Sequence, residues 1–245
     1  MSSHYTTAVR GVIDHLEATQ LTVIEKAASL IVASLTHNGA IFCAEIGHSN
    51  QADFINRAGG LAAVQPFSCN FNIHDPVADC LKNRPREKAV DRELETIRFA
   101  VSNSALRAGD VMLIGSVSGK NKGPVELALA CRAIGVKVIG FTSMAYTMQV
   151  EAQHPSGKKL YEVADVAIDD GAPFGDAAVN LTGYDFKVLP VSGVGNIIAG
   201  WMLWETVIEK MVAAGTPPSV FMSLNRPGGQ EYYDKSRAEY NRRGV

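Results

Sequence analysis

The chain has 245 residues, 47% of them hydrophobic and 20% charged, with a formal net charge of −2. That is enough apolar material to bury one large core, and the charge balance excludes the broad basic field that holds nucleic acid or an anionic membrane. Four cysteines, Cys43, Cys69, Cys80 and Cys131, lack C-x-x-C spacing, which points away from a zinc ribbon or disulfide framework and toward a reducing cytoplasm.

In chain order, Val9, Val12, Ile13 and Leu16 fall on one face of a helix. A break near residues 18–20 follows, and Thr22-Val23-Ile24-Glu25 reads as a capping box opening a second helix. This pair, residues 1–38, lacks a basic recognition helix and is too short for a DNA-binding domain. No basic-then-apolar leader pattern stands at the start, which again suggests the cytoplasm. Residues 41–44 are a short strand, followed by a Gly-His-Ser loop and a helix ending at Gly59-Gly60. Residues 61–65 are the next strand, ended by Pro66. Residues 67–85 show no periodicity and read as a lid or binding loop. Lys82, Arg84, Arg86 and Lys88 make its end a solvated basic run. Residues 86–106 have apolar positions at helical spacing. Strands follow at 111–114, 136–141 and 166–168, the last leading into Asp169-Asp170-Gly171. The helix expected over 192–214 is apolar, but Glu205 and Glu209 mark it as a core helix, not a membrane span. Residues 225–245 read as a polar tail.

The stretch 111–135 carries the sharpest signal. A buried strand runs into Gly115-Ser116-Val117-Ser118-Gly119-Lys120-Asn121, then into a helix with Pro124 in its first turn and Gly135 as its stop. Free N–H groups, serine hydroxyls and the positive end of a helix converge there, which suits a phosphate-sized anion. Gly47-His48-Ser49 repeats the arrangement after the first strand. Two serine-bearing βα loops on neighbouring parallel strands imply one shared anionic ligand. The β-α-β alternation predicts an α/β fold, a three-layer α/β/α sandwich with a flavodoxin-like parallel sheet of about five strands, as a single domain over 1–245.

Ser116-Val117-Ser118-Gly119-Lys120-Asn121 resembles the S-x-S-G-x-[TSN] element of the sugar isomerase (SIS) domain, a phosphosugar-binding α/β domain, and Gly47-His48-Ser49 resembles the end of its G-x-G-x-S loop. With the runs at 57–61 (RAGGL), 154–166 (HPSGKKLYEVADV) and 169–179 (DDGAPFGDAAV), the chain is similar to stand-alone SIS proteins labelled uncharacterised or phosphoheptose-isomerase-like. The resemblance implies a sugar phosphate held by Gly47, His48, Ser49, Ser116, Ser118, Gly119, Lys120 and Asn121, and assembly as a homodimer or homotetramer. Glu45 stands where that loop's first glycine belongs, which makes it a candidate base.

Aldose–ketose isomerisation through an enediol needs a base and a second acid/base, but no metal, nicotinamide or other cofactor. His74-Asp75, in the expected lid, is the pair chosen for that proton transfer, with Glu45 beside it. His4, His15 and His37 read as surface groups, and His154 as a turn residue. Glu126 reads as an acid favoured by the helix dipole. Asp176 and Asn225 are possible lining residues that no spacing demands. The resulting expectation is a cytoplasmic sugar-phosphate isomerase with no nucleic-acid or membrane partner. A lyase, etherase or deglycase on the same scaffold, and a non-catalytic sugar-phosphate sensor, stay open.

Overall fold

A computed structural model describes residues 3–48, 51–85 and 90–245. The apolar stripe of the first helix, α1 (His4–Thr19), buries Val12 and Leu16. The second, α2 (Leu21–Thr36), buries Ile24, Ala27, Ala28, Ile31 and Leu35. The two meet at a 70° bend at Gln20. Gln20, not Thr22, is the N-cap of α2, so the expected capping box lies inside the helix. The Gln20 side-chain amide oxygen accepts the Asp169 N–H at 3.0 Å, which ties the bend to the sheet.

The sheet is built from β1 (Ile41–Ala44), β2 (Val64–Phe67), β3 (Val111–Gly115), β4 (Lys137–Thr142) and β5 (Val166–Asp169). All pairs are parallel and the order is β2-β1-β3-β4-β5, the doubly wound order expected from the β-α-β rhythm. β3 is buried at all five positions because it is central and covered on both faces. Pro66 does not end β2; it lies within it, paired with Cys43. β2 is an edge strand, where one side makes no ladder and a missing N–H is tolerated.

One face of the sheet is covered by α1, α2 and α8 (Ser192–Ala213), with α8 packed on α2 and α1. Trp204, Leu203 and Met211 of α8 are fully buried there. The short α3 (Gln51–Phe54) adds Phe54, whose ring meets Trp201 and Trp204 edge-on. The opposite face carries α4 (Arg92–Ser102), α5 (Lys122–Ala133) and α7 (Leu160–Val163). Between β4 and α7 lies one turn of helix, α6 (Met144–Thr147). Strands β6 (Ala177–Val179) and β7 (Val188–Pro190) form a separate antiparallel pair.

The polar tail is not extended. It forms α9 (Gly229–Arg243), held by Arg237 over the rings of Phe221 and Tyr233 and by the Ser236 hydroxyl on the Val220 carbonyl. Among the described residues, no single helix is long and apolar enough to cross a membrane, and the bent α1–α2 pair spends its apolar stripe in the core.

Candidate functional site

The loops after β1 and β3 meet at the carboxyl ends of these adjacent strands, where the chain's crossovers diverge to opposite sides of the sheet. Two glycines make the meeting possible. Gly47 has φ +94°, and a Cβ there would fall under 3.0 Å from the Gly115 carbonyl. A Cβ on Gly115 would collide in the same way with the His48 carbonyl. The His48 N–H donates to the Gly115 carbonyl at 2.8 Å, sealing the two loops together.

Beside this junction opens a cleft of about 390 Å³. The loop after β3 supplies Ser116, Val117, Ser118 and Asn121, and the loop after β1 supplies Gly47 and His48. Tyr146 of α6, with Gly175 and Asp176 ahead of β6, completes it. Asn121 is the N-cap of α5, yet its side chain caps nothing. The hydroxyls of Ser116 and Ser118 have no partner among the described residues, nor do the backbone N–H groups of Ser118, Lys120 and Asn121. An uncapped helix N-terminus surrounded by unpaired donors has the chemistry to receive an anion.

A second helix N-terminus borders the cleft, but it is filled. The Asp176 carboxylate, on a residue with φ +67°, accepts the N–H groups of Val191 and Ser192 at 3.1 and 2.8 Å and the Ser192 hydroxyl at 2.8 Å. Its charge already satisfies the start of α8, which leaves the start of α5 as the entrance with unpaired donors among the described residues.

His48 is half-buried, and its ring has no hydrogen-bond partner among the described residues. A Cβ built on Gly193, at the entrance of α8, would stand 3.8 Å from His48 Nε2. Tyr146 is half-buried too, its ring edge-on to Phe174 at 5.0 Å.

The structure gathers Gly47, His48, Ser116, Ser118 and Asn121 from the sequence expectation. Ser49 lies outside the described residues. Gly119 and Lys120 shape the loop without lining the cleft. The Gly119 N–H, expected to hold the ligand, is used up on the Ser116 carbonyl at 2.9 Å. Gly119 has φ +64° and leaves room for the hydroxyls of Thr142 and Thr147, which a Cβ would crowd.

The three residues chosen for proton transfer are not brought to the cleft. His74 and Asp75 are exposed on the segment after β2, and neither lines it. Glu45 is exposed too and faces a separate hollow with Gln51, Ala52, Ile55 and Pro66, where its N–H continues the pairing with β2 by donating to the Phe67 carbonyl at 2.9 Å. Asn225 is exposed and also outside the cleft.

Two other readings change. His15 binds Asp169 at 3.0 Å and is not a bare surface group. Glu126 lies beyond the first turn of α5, buried between Arg98 Nε at 2.6 Å and His154 Nε2 at 2.7 Å. Burial works to raise the Glu126 carboxyl, but its bonds to Arg98 and His154 outweigh that and hold it below the usual carboxylate range. Among the described residues, no cluster of His, Cys, Asp and Glu suits a metal ion.

The sequence profile of the SIS domain matches residues 4–143. A UPF0309 protein of Halalkalibacterium halodurans is 35% identical over 237 residues, covering 94% of this chain and 93% of that protein. A UPF0309 protein of Caldanaerobacter subterraneus is 33% identical, covering 94% of each. The structure of a phosphoheptose isomerase from Neisseria gonorrhoeae superposes with a TM-score of 0.51 at 17% identity, over 83% of this chain and 94% of that one, which is a likeness of fold.

Proposed function

The chain belongs to the SIS domain family, and from that premise we propose that it is a cofactor-independent isomerase of a phosphorylated sugar. The phosphate sits at the start of α5, among the Ser116 and Ser118 hydroxyls, the Asn121 side chain and the unpaired N–H groups of their loop. The observation that carries this reading is the contrast between the two helix entrances at the cleft: α8 is capped by Asp176, and α5 is left with its donors unpaired.

With the phosphate anchored there, the sugar carbons extend toward His48 and Tyr146. In the forward direction His48 takes the proton from C2 of the open-chain aldose. The electron pair moves into a C1–C2 double bond and an enediol forms. The Tyr146 hydroxyl relays the proton between O1 and O2, and His48 returns its proton to C1 to give the ketose. This assignment replaces His74, Asp75 and Glu45 by residues that share the cleft with the anion site.

Two measurements test the reading. Thermal unfolding is followed with inorganic phosphate and with hexose and heptose monophosphates. Binding to the folded state stabilises by about 2.7 kcal/mol at a hundredfold excess over Kd, and Ser116→Ala lowers the response. Exchange of the C2 hydrogen in deuterated water then reports proton abstraction. We expect exchange in the parent protein and its loss in His48→Gln with binding retained. Loss in His74→Ala with retention in His48→Gln would refute the catalytic assignment. Binding without any exchange would leave a sensor in place of an isomerase.

A further inference from the structure

The run 154–166, one of the polar motifs of this chain, contributes nothing to the cleft lining, yet together with Gln153 it bonds to the rear of the anion loop. The 148–159 stretch between α6 and α7 has no helix or strand to fix it, so its place depends on a few polar anchors. At its centre His154 is buried, its side chain 5% exposed, with Nε2 on Glu126 at 2.7 Å. The Ser156 N–H donates to His154 Nδ1 at 3.1 Å, which leaves Nε2 to carry the proton toward Glu126. Arg98 closes the other side of the carboxylate through Nε at 2.6 Å and an N–H at 3.1 Å. On one flank, Lys159 Nζ holds the carbonyls of Thr147 and Val150.

From this clamped stretch two N–H groups reach the anion loop: Gln153 donates to the Lys120 carbonyl at 3.0 Å and Leu160 to the Gly119 carbonyl at 2.8 Å. A trans peptide is planar, with its C=O and the following N–H pointing in opposite directions. Pinning the Gly119 and Lys120 carbonyls from behind therefore turns the N–H groups of Lys120 and Asn121 the other way. The Val117 carbonyl is pinned likewise by the Ser143 N–H and the Thr142 hydroxyl, which turns out the Ser118 N–H. All three of these amides lack partners among the described residues, and a carbonyl that accepts a bond makes the N–H of its own peptide a better donor.

We propose that Glu126 and His154 are positioning residues of the anion site, a buried clamp that holds the 153–160 segment against the loop so that the Lys120 and Asn121 amides face the ligand. This rests on the phosphate-binding reading given above, and goes beyond it by assigning the rear of the loop. His154→Ala releases the segment while Glu126 keeps Arg98, so the fold is retained. His154→Gln restores a donor to Glu126.

The test uses the full chain, with inorganic phosphate as probe. Titration by calorimetry gives the affinity, and 15N-edited spectra of the ligand-free protein give the Lys120 and Asn121 amide shifts and their hydrogen exchange. We expect His154→Ala to weaken phosphate about tenfold, the value of one charge-assisted hydrogen bond, to move both amides, and to be largely rescued in His154→Gln. A folded His154→Ala that binds phosphate within twofold of the parent, with both amides unmoved, overturns the clamp and leaves the phosphate site standing. A parent protein that binds no phosphate overturns the site itself; amides that still move in His154→Ala would then keep the clamp as a property of the loop alone.

Discussion

Replacing Gly47 by alanine tests the meeting of the two loops directly. Two costs add at this position. The residue holds φ +94°, a conformation that costs an L-residue about 1–2 kcal/mol. Its new Cβ also falls under 3.0 Å from the Gly115 carbonyl and at 3.0 Å from Pro124 Cγ. Backbone and a proline ring cannot swing aside as a flexible side chain does, and overpacking of this kind costs about 1–3 kcal/mol. The sum is about 2–5 kcal/mol, a large share of a stability of about 5–15 kcal/mol. Gly109→Ala is the control. It has nearly the same φ, +93°, with no heavy atom within 4 Å of its Cβ, and it lies at the amino end of β3, away from the cleft. Urea unfolding of both variants isolates the collision as the difference between them. Phosphate titration below the transition should show weakened binding in Gly47→Ala and parental binding in Gly109→Ala. Equal destabilisation within about 0.5 kcal/mol, together with equal affinity, would refute the claim that close loop approach builds the site.

Asp176→Ala removes the carboxylate that accepts the first N–H groups of α8 and should cost about 0.5–2 kcal/mol by urea melt, yet phosphate should bind as well or better, since a carboxylate leaves the anion cleft; weaker binding would count against the assignment of the two helix entrances. Glu126 has a folded pKa below its ordinary value of 4.5, so its contribution is complete above that pH and is lost as pH falls below it. The parent's urea midpoint should therefore drop more steeply with acid than that of Glu126→Gln, and parallel curves would remove the point. Burial, with the charges of Asp169 and Asp176, pushes the Asp170 carboxyl up to about 7, against the pull of its Ala172 N–H bond and of Asn196. The folded state then keeps a proton that the unfolded chain gives up between about pH 4 and 7, and stability falls as pH rises through that window. Asp170→Asn keeps an acceptor for the Ala172 N–H, 2.9 Å away, and, with the Asn196 amide turned over from its present donation to Asp170, offers a donor to the Asn196 oxygen, which is buried without a partner among the described residues. It should unfold at higher urea than the parent at pH 8, and a less stable variant there would contradict the burial argument.

Periodicity and turn chemistry made the sheet legible, because β1, β3 and β4 are runs of apolar residues bounded by glycine or polar turns and leave little choice of element. The anion loop was legible for a related reason: Ser116, Ser118 and Asn121 lie within six residues of one strand end, so the chain itself keeps them together. Residues joined only by folding were not. Asp176 reaches the cleft across a gap of 58 residues from Ser118, and nothing along the chain signals which way its carboxylate turns. Glu126 and His154 are 28 residues apart, and each alone looks like a helix-dipole acid and a turn histidine. His74-Asp75 misled because adjacency in a polar segment resembles a catalytic pair, whereas the direction of that segment is a property of the sheet edge. α9 escaped notice because only Gly229 and Ser236 of it are buried; a helix pinned by Arg237 and serine hydroxyls carries no apolar stripe to detect.

The division of labour in the cleft constrains what the protein can distinguish. The long polar motifs at 154–166 and 169–179 together supply only Gly175 and Asp176 to its lining; His154 is engaged with Glu126 and Asp169 with His15. On the proposed reading, the phosphate end is met by N–H groups and hydroxyls, which respond to charge and geometry common to all phosphate monoesters. On that reading, choice among sugars falls to the opposite wall, formed by His48, Tyr146 and the Gly175-Asp176 turn. Asp176 has each oxygen already engaged on α8, so it imposes a fixed negative boundary there without being free to move. A second phosphate or a carboxylate on the sugar would have to approach that boundary unscreened, since no lysine or arginine lines the cleft among the described residues. On the proposed function, singly phosphorylated neutral sugars are the expected ligands, and discrimination among them should respond to substitutions at Tyr146 far more than at Ser116 or Ser118.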